Sequence, residues 1–293
     1  MDIKDLTVFY EVAKERNISH AAKNLNYVQS GVTMRMKQLE NELGVPLFYR
    51  NGKGVPLFYR NGKGVTLTSN GEILLTYAKQ IIHLMEQSVK AVQSNGTEPK
   101  GTLKIGCTES TTAVRIPSIL ANYYENYSQV ELVLETNTTE QLTHLVLDRK
   151  LDGAFIAGTT QHAELRANVF REEELVLISK NPLSSFQDIG DMNLLTFSHG
   201  CYYRRLLEDW LQEEGISPKR VLEFGTIEAI LACVKSGMGI AIMMKSILNG
   251  HKHDVSFNPL PNSFKKVPTT FITRKDIFHS AALQKFMEMT HNA

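Results

Sequence analysis

The chain has 293 residues, of which 42% are hydrophobic and 22% charged, a composition that fits a globular protein of two or three domains. Its three cysteines, Cys107, Cys201 and Cys233, show no CxxC spacing, which argues against a disulfide framework and against a structural zinc site. The N-terminal residues lack the basic start and apolar stretch of a signal peptide, and no apolar run reaches the roughly 18 residues of a membrane helix. We therefore expect a cytoplasmic protein without a membrane partner.

The formal net charge of +1 is unevenly distributed along the chain. Residues 16–79 contain nine Lys and Arg against three Glu, whereas the segment from residue 99 onward contains 20 basic and 22 acidic residues. Positive potential is thus concentrated in the first quarter, which makes nucleic acid a reasonable partner for that quarter. A basic face that is merely solvated is the alternative on charge alone.

The first 43 residues predict three short helices. The first is amphipathic and ends near Asn17, which offers a cap for the alanine-containing second helix. The third helix, in SGVTMRMKQLENELG, has a polar and basic outer face and an apolar stripe of Val32, Met36, Leu39 and Leu43. This arrangement is typical of a helix-turn-helix, whose outer helix fits the major groove of DNA. An all-α domain with a solvated helix remains the alternative.

A perfect tandem repeat follows, in which VPLFYRNGKG at 45–54 recurs at 55–64. Each copy combines β-prone residues with an Asn-Gly turn, as expected for the wing beside a helix-turn-helix. The basic residues of the turns could contact phosphates or the minor groove. The pattern does not decide whether Phe48 or Phe58 fills the core position, nor whether the extra copy loops out and impairs DNA binding.

Residues 69–95 predict a long helix with a broad apolar stripe, and residues 96–101 a hinge rich in Gly, Pro and polar residues. Pairing with the same helix of a second chain would cover the stripe, although packing against the C-terminal region is the alternative.

Beyond the hinge, strand and helix patterns alternate, which predicts parallel α/β sheets. We expect two lobes with a cleft between them, one formed by about 102–173 and 268–293 and the other by about 174–267.

These features together resemble the LysR-type transcriptional regulators over essentially the whole chain. The resemblance is carried by AAKNL, by the turn and helix start from Gln29 to Thr33, and by QLENELG, PLFYR and VTLTSNGE in family order. It implies a winged helix-turn-helix at 1–68, a linker helix, and a periplasmic-binding-protein-like effector domain at 102–293. It also implies a homodimer or homotetramer, a partly palindromic double-stranded DNA operator and contact with RNA polymerase.

The resemblance also assigns DNA-binding positions. Gln29, Ser30 and Thr33 occupy the base-reading positions, and Arg35 and Lys37 are the expected phosphate contacts. Met34 stands where an arginine is frequent in the family, which puts its contacts in doubt. The expected interface is completed by Arg50, Lys53, Arg60, Lys63 and Thr68.

The effector site is expected beyond the carboxyl ends of the strands, near helix N-termini. Three segments have that placement, CTESTTAVR, SHGCYYRR and GTIEA, and the expected site residues are Thr108, Glu109, Ser110, Thr111, Arg115, Gly158, Ser198, His199, Cys201, Arg204, Thr226 and Ile227. Arg115 and Arg204 could hold a carboxylate, which favours an anionic metabolite. Glu109 would repel a carboxylate and could instead favour an amine, and the hydroxyls could be ordinary helix caps.

Two other protein classes fit less well. A solute-binding protein would explain the lobes but not the basic helix-turn-helix, and an enzyme would need a general base that the cleft segments do not place. We therefore expect no catalytic site, metal site or cofactor. A thiol switch between Cys107 and Cys201 is conceivable, but both cysteines are ordinary small apolar residues at strand ends.

Overall fold

A computed structural model describes residues 1–49, 65–93, 98–250 and 254–291. The chain divides into two compact units, Met1–Gln93 and residues 94–293, which are considered separately.

The described residues of the first unit form four helices, and a short antiparallel strand bridge lies between the third and the fourth. Asp2 and Asp5 form a reciprocal capping box at the start of the first helix, and the Asn17 side chain accepts the N–H groups of Ser19 and His20 at the start of the second. Gly44, at φ 69°, ends the third helix in the left-handed conformation. The helices are α1 (Ile3–Glu15), α2 (Ile18–Asn24), α3 (Gln29–Leu43) and α4 (Ser69–Gln93).

The core of this unit forms where α1, α2 and α3 bury their apolar faces. Val32, Met36 and Leu39 of α3 are buried as predicted, whereas Leu43 is 38% exposed at the end of the helix. Phe48 is fully buried, with its ring centroid 5.6 Å from that of Phe9. The first copy of the repeat therefore supplies the core phenylalanine.

Backbone pairing closes the chain on either side of the repeat. Phe48 and Leu67 form an antiparallel bridge, the Tyr49 N–H donates to the Thr66 carbonyl at 3.0 Å, and the Thr68 N–H donates to the Leu47 carbonyl at 2.9 Å. These pairs are the base of the predicted wing. Residues 50–64, which include all of the second copy, lie outside the described residues.

The long helix α4 has an exposed apolar stripe. Its first turns contribute Leu74, Leu75 and the buried Ala78 to the core of the unit. Further along, the large apolar residues are solvent-exposed, with Leu84 at 64% and Val92 at 76%, and the stripe comprises Ile73, Tyr77, Ile81, Leu84, Met85, Val89 and Val92.

The second unit alternates strands and helices as the sequence predicts. In chain order they are β1 (Gly101–Cys107), α5 (Glu109–Val114), α6 (Ile116–Asn126), β2 (Val130–Thr136), α7 (Thr139–Leu147), β3 (Gly153–Ala157), β4 (Leu165–Ser179), β5 (Asn193–Thr196), α8 (Tyr202–Glu213), β6 (Arg220–Glu223), α9 (Ile227–Ser236), β7 (Ala241–Met244), β8 (Ser256–Pro259), α10 (Asn262–Lys265), β9 (Lys266–Arg274) and α11 (Ala281–His291). Short 3₁₀ turns lie at Phe186–Asp191 and Lys245–Gly250.

The main sheet has the order β2-β1-β3-β9-β4-β7, with β8 also paired to β4. β1 pairs in parallel with β2 and β3, whereas β9 and β4 add to this group in antiparallel fashion. β5 and β6 form a separate parallel pair. Leu194 of β5 also forms a parallel bridge with Ile240, the residue before β7. The main sheet is thus mixed, whereas the sequence pattern predicted only parallel strands.

The strands β4 and β9 carry the chain between the two lobes of this unit. Residues 165–174 of β4 pair with β9, and from Leu175 onward β4 pairs instead with β7 and β8. One lobe therefore contains β1, β2 and β3, and the other contains β5, β6, β7 and β8.

Two elements differ from what the local sequence pattern indicates. The continuous helical pattern of residues 111–127 is divided at Arg115, because Pro117 in the first turn of α6 has no N–H and its ring crowds the preceding turn. The first part of β4 was not predicted, because the charged residues of 171–174 conceal its strand pattern.

We predict that Phe48→Ala lowers the free energy of unfolding of the first unit by about 3 to 5 kcal/mol, since it removes a fully buried ring. Denaturant unfolding followed by circular dichroism at 222 nm measures this loss. Phe58→Ala, the same change in the second copy of the repeat, is the matched comparison. An equal or larger loss in Phe58→Ala would contradict the assignment of this core position to Phe48.

Candidate DNA-binding face and ligand cavity

The outer face of α3 presents polar and basic side chains to solvent. Gln29, Ser30, Met34 and Lys37 are exposed, because the opposite face of the helix is anchored by its buried stripe. The Thr33 hydroxyl is half-buried and donates to the Gln29 carbonyl at 3.0 Å. The first turns of α3 thus offer an amide, a hydroxyl and a basic group on one exposed surface.

Arg35, one of the two expected phosphate contacts, is also paired within the first unit. Its Nη1 lies 2.7 Å from Oδ1 of Asp5, and its guanidinium lies 6.0 Å from the ring centroid of Tyr27. Asp5 belongs to the capping box of α1, so this ion pair ties α3 to the start of α1. Arg35 therefore has a structural contact that the sequence did not reveal.

Thr68 also makes structural contacts. Its hydroxyl donates to the Pro46 carbonyl at 2.7 Å and accepts the Gly71 N–H at 3.1 Å, which caps the start of α4. The four basic residues expected in the wing, Arg50, Lys53, Arg60 and Lys63, lie outside the described residues.

The second unit contains a cavity of about 220 Å³ between its lobes. Most of its lining follows directly after strands, at 108–110 after β1, 136–139 at the end of β2, 197–198 after β5 and 224–225 after β6. The start of α8 and Ala157 complete the lining. The carboxyl ends of the parallel strands in both lobes therefore meet at this cavity, as open α/β sheets generally arrange their ligand sites.

Five of the residues predicted for the effector site line the cavity, and they are Thr108, Glu109, Ser110, Ser198 and Cys201. The others surround it in supporting positions. Thr111 is buried and bonded to the Thr108 hydroxyl at 2.9 Å, and Thr226 caps α9 by accepting the Ala229 N–H. Gly158 packs under the ring of Tyr202, where a Cβ atom would lie 2.3 Å from a ring carbon.

The two arginines expected to hold a carboxylate are paired within the chain. Arg115 forms a bidentate pair with Glu173, at 2.7 and 2.8 Å, and is not among the lining residues. Arg204 donates to Glu208 at 2.7 Å and to Glu223 at 2.6 Å. The positions of these arginines give no support to an anionic effector.

Arg204 and His199 line a second depression of about 460 Å³ that opens beside α7 and α8. The His199 Nε2 lies 3.2 Å from Nη2 of Arg204 and 3.8 Å from the Glu223 carboxylate. This depression shares Thr139, Cys201 and Tyr202 with the first cavity, but His199 and Arg204 are not in the lining of the first cavity.

Glu109 joins the two lobes across the cavity. It lies at the start of α5, and its Oε1 accepts the Ile227 N–H at the start of α9 at 2.9 Å. Burial raises the pKa of the Glu109 carboxyl, and the Ile227 N–H opposes that effect. Ile227 thus contributes its backbone to the site.

The sequence did not single out the aromatic lining of the cavity, which consists of Phe197, Tyr202, Tyr203 and Phe224, or the polar loop from Thr136 to Thr139. The placement of both sets directly after strands, or at the start of α8, was the available signal.

Neither Cys107 nor Cys201 has an activated thiol. Burial raises the pKa of the Cys107 thiol to about 12 and also raises the pKa of Cys201. Since the thiolate is the reactive form, this environment does not favour a thiol switch.

Two family models match the chain along most of its length. "Bacterial regulatory helix-turn-helix protein, lysR family" matches residues 3–55, and "LysR substrate binding domain" matches residues 96–293. The chain belongs to the LysR family of transcriptional regulators. It is therefore a DNA-binding transcription regulator with a substrate-binding effector domain, as the resemblance implied.

Full-length relatives agree with this assignment. The LysR-family chain is 42% identical to the uncharacterized HTH-type transcriptional regulator YusT of Bacillus subtilis, over 98% of this chain and 95% of the relative. It is 41% identical to the regulator SoxR of an Arthrobacter species, over 100% and 98% of the two chains. It is 40% identical to the regulator GltR of Bacillus subtilis, over 98% and 95%.

Solved structures confirm the predicted fold class. Full-length CbnR bound to its target DNA has a TM-score of 0.66 at 22% identity, covering 100% of this chain and 99% of CbnR. A full-length OxyR variant from Pseudomonas aeruginosa has a TM-score of 0.67 at 20% identity, covering 100% and 94%. In the described part of this LysR-family chain, no helix is long and apolar enough to cross a membrane.

We predict that Glu173→Gln destabilises the effector domain of this LysR-family regulator by about 3 to 5 kcal/mol, since Arg115 would lose its buried counter-ion. Unfolding of this domain can be followed by the fluorescence of Trp210, the one tryptophan of the chain.

The neighbouring Glu172→Gln is the matched control for this prediction. Glu172 pairs with Lys266 on the surface, where both side chains are more than half exposed, so its loss should cost less than about 1 kcal/mol. Equal effects of the two substitutions would show that the Arg115 pair does not stabilise the domain.

Proposed function

We propose that this regulator recognises a specific operator sequence through α3, binds it as a homodimer or homotetramer assembled through α4, and responds to a small-molecule effector in the cavity between the lobes. The observation that carries the proposal is the exposed face of α3, where Gln29 and Ser30 lie in the first turn and Lys37 further along the helix. Amide side chains can form paired hydrogen bonds with base edges, and a lysine can contact a phosphate.

Self-association is supported by the apolar stripe of α4. Monomeric soluble proteins rarely expose contiguous apolar surface of this kind, and two copies of one helix can cover each other in a symmetric pair. A dimer would present two α3 helices to the two halves of an operator.

Control by an effector is supported by the origin of the cavity lining. Both lobes contribute to it, so a ligand that binds one lobe arrangement better than another would shift the equilibrium between them. We propose that this shift alters the spacing of the two α3 helices, the bend of the DNA and thereby the access of RNA polymerase.

We predict that Gln29→Ala reduces discrimination between the operator and unrelated DNA by about 1 to 3 kcal/mol, because a base contact is lost. Lys37→Ala should weaken binding to both DNAs and reduce the slope of log affinity against log salt by about 1. Fluorescence anisotropy with DNA from upstream of the regulator's own gene, over a range of salt, measures both effects. If Gln29→Ala weakened binding to both DNAs equally, α3 would not be the base-reading element.

We predict that Leu84→Glu raises the dimer dissociation constant at least tenfold. Each protomer loses a leucine that the dimer would bury and gains a charge at the symmetric contact. Sedimentation velocity over a range of protein concentrations measures the dissociation constant. Lys79→Glu introduces the same charge on the opposite face of α4 and is the matched control. An unchanged dissociation constant in Leu84→Glu would show that the stripe is not the dimer contact.

A further inference from the structure

The lining of the cavity carries a single kind of charge. Among its described residues, Glu109 is the one acidic residue and there is no Lys, Arg or His; the remaining side chains are hydroxyl, amide, thiol, apolar or aromatic groups. Only one carboxylate oxygen of Glu109 has a hydrogen-bond donor among the described residues, the Ile227 N–H on Oε1. The other oxygen is available to a ligand.

Positive groups near the cavity are already satisfied by the chain itself. Arg115 is held by Glu173, and Arg204 by Glu208 and Glu223. The Arg205 guanidinium lies over the ring of Tyr202 and lines the neighbouring depression, not this cavity. No guanidinium is therefore among the described lining residues, and a ligand carboxylate would be close to the Glu109 carboxylate, which repels it.

Two of the helix N-termini at the cavity are occupied by side chains. The first turn of α9 is capped by the Glu109 carboxylate and by the Thr226 hydroxyl, and that of α7 is capped by the Thr138 hydroxyl, so an anionic ligand would have to displace these groups to use the N–H donors. The N-termini of α5 and α8 have no side-chain cap, but Glu109 itself lies in the first turn of α5, where its carboxylate opposes an anion.

The aromatic lining is suited to an organic cation. Phe197 and Phe224 offer ring surfaces that attract a positive charge and cover an apolar body, whereas the ring of Tyr202 already has the Arg205 guanidinium over it at 5.3 Å.

We propose that the effector of this regulator is a small organic amine whose ammonium group pairs with Glu109 and whose apolar body packs against the aromatic rings of the cavity. The inference rests on the proposed function of the cavity as the effector site. A cavity of about 150 Å³ can hold benzene, which has six non-hydrogen atoms. In the same proportion, this cavity of about 220 Å³ holds a ligand of roughly nine non-hydrogen atoms. Because Glu109 also holds the start of α9, an ammonium at this carboxylate acts on both lobes.

The test uses the purified full-length protein and ligands that differ in charge but little in size. Isothermal titration calorimetry is performed with 2-phenylethylammonium, 2-phenylethanol and phenylacetate, and with butylammonium, butanol and butyrate. The expected order of affinity is ammonium above alcohol above carboxylate, with at least a tenfold difference between ammonium and alcohol. If the carboxylates bind more tightly than the ammonium ions, or if neither ammonium ion binds, the proposal is overturned by the wild-type protein alone.

Variants then assign the charge selectivity to one residue. Glu109→Gln should weaken ammonium binding at least tenfold and leave alcohol binding within threefold. Glu228→Gln removes an exposed carboxylate in the first turn of α9 and should change ammonium binding less than threefold. Equal losses in the two variants overturn the assignment to Glu109.

Operator binding by the same protein preparations, measured by anisotropy, separates this inference from the proposed function. Intact operator binding without ammonium selectivity rejects the amine and keeps the regulator. Loss of operator binding in the wild-type protein rejects the proposed function itself.

Discussion

The antiparallel pairing of β4 with β9 is the constraint on which the effector domain depends. These two strands run from one lobe into the other, and β4 exchanges its partner strand between Glu174 and Leu175. The parallel strands on either side of this crossing therefore direct their carboxyl ends toward a common cavity. The lining of the cavity comes from loops that are distant in sequence, since each follows a different strand. The covalent connection between the lobes is limited to the crossing segments.

The charge of the cavity is determined by ion pairs that lie outside it. Glu173 is in the crossing part of β4 and neutralises Arg115, and two carboxylates around α8 neutralise Arg204. A list of charged residues near the cavity would suggest a site for anions, because both arginines are close in sequence to lining residues. The pairing of each arginine within the chain leaves Glu109 as the one acidic or basic side chain among the described lining residues.

Much of this fold was accessible from the sequence because periodicity and family order agree. The stripe through Val32, Met36 and Leu39 predicted both the buried and the exposed face of α3, and the strand-end rule brought Thr108 and Ser198 to one cavity. Contacts between residues far apart in the chain were not accessible. The Arg35 pair with Asp5, the Arg115 pair with Glu173 and the aromatic lining all depend on tertiary packing, which local spacing does not encode.

Gly158 limits how the ligand preference of this domain can change by mutation. Its φ of 80° disfavours every other residue, and the ring of Tyr202 occupies the space of a side chain. Its N–H donates to the Pro268 carbonyl and its carbonyl accepts the Thr270 hydroxyl, both in β9. Any substitution there would displace the backbone or drive Tyr202 toward the cavity. We therefore expect homologues that accommodate ligands of other sizes to retain this glycine. They are expected to vary the loops after β5 and β6 instead, because Phe197 and Phe224 of the lining need no left-handed backbone.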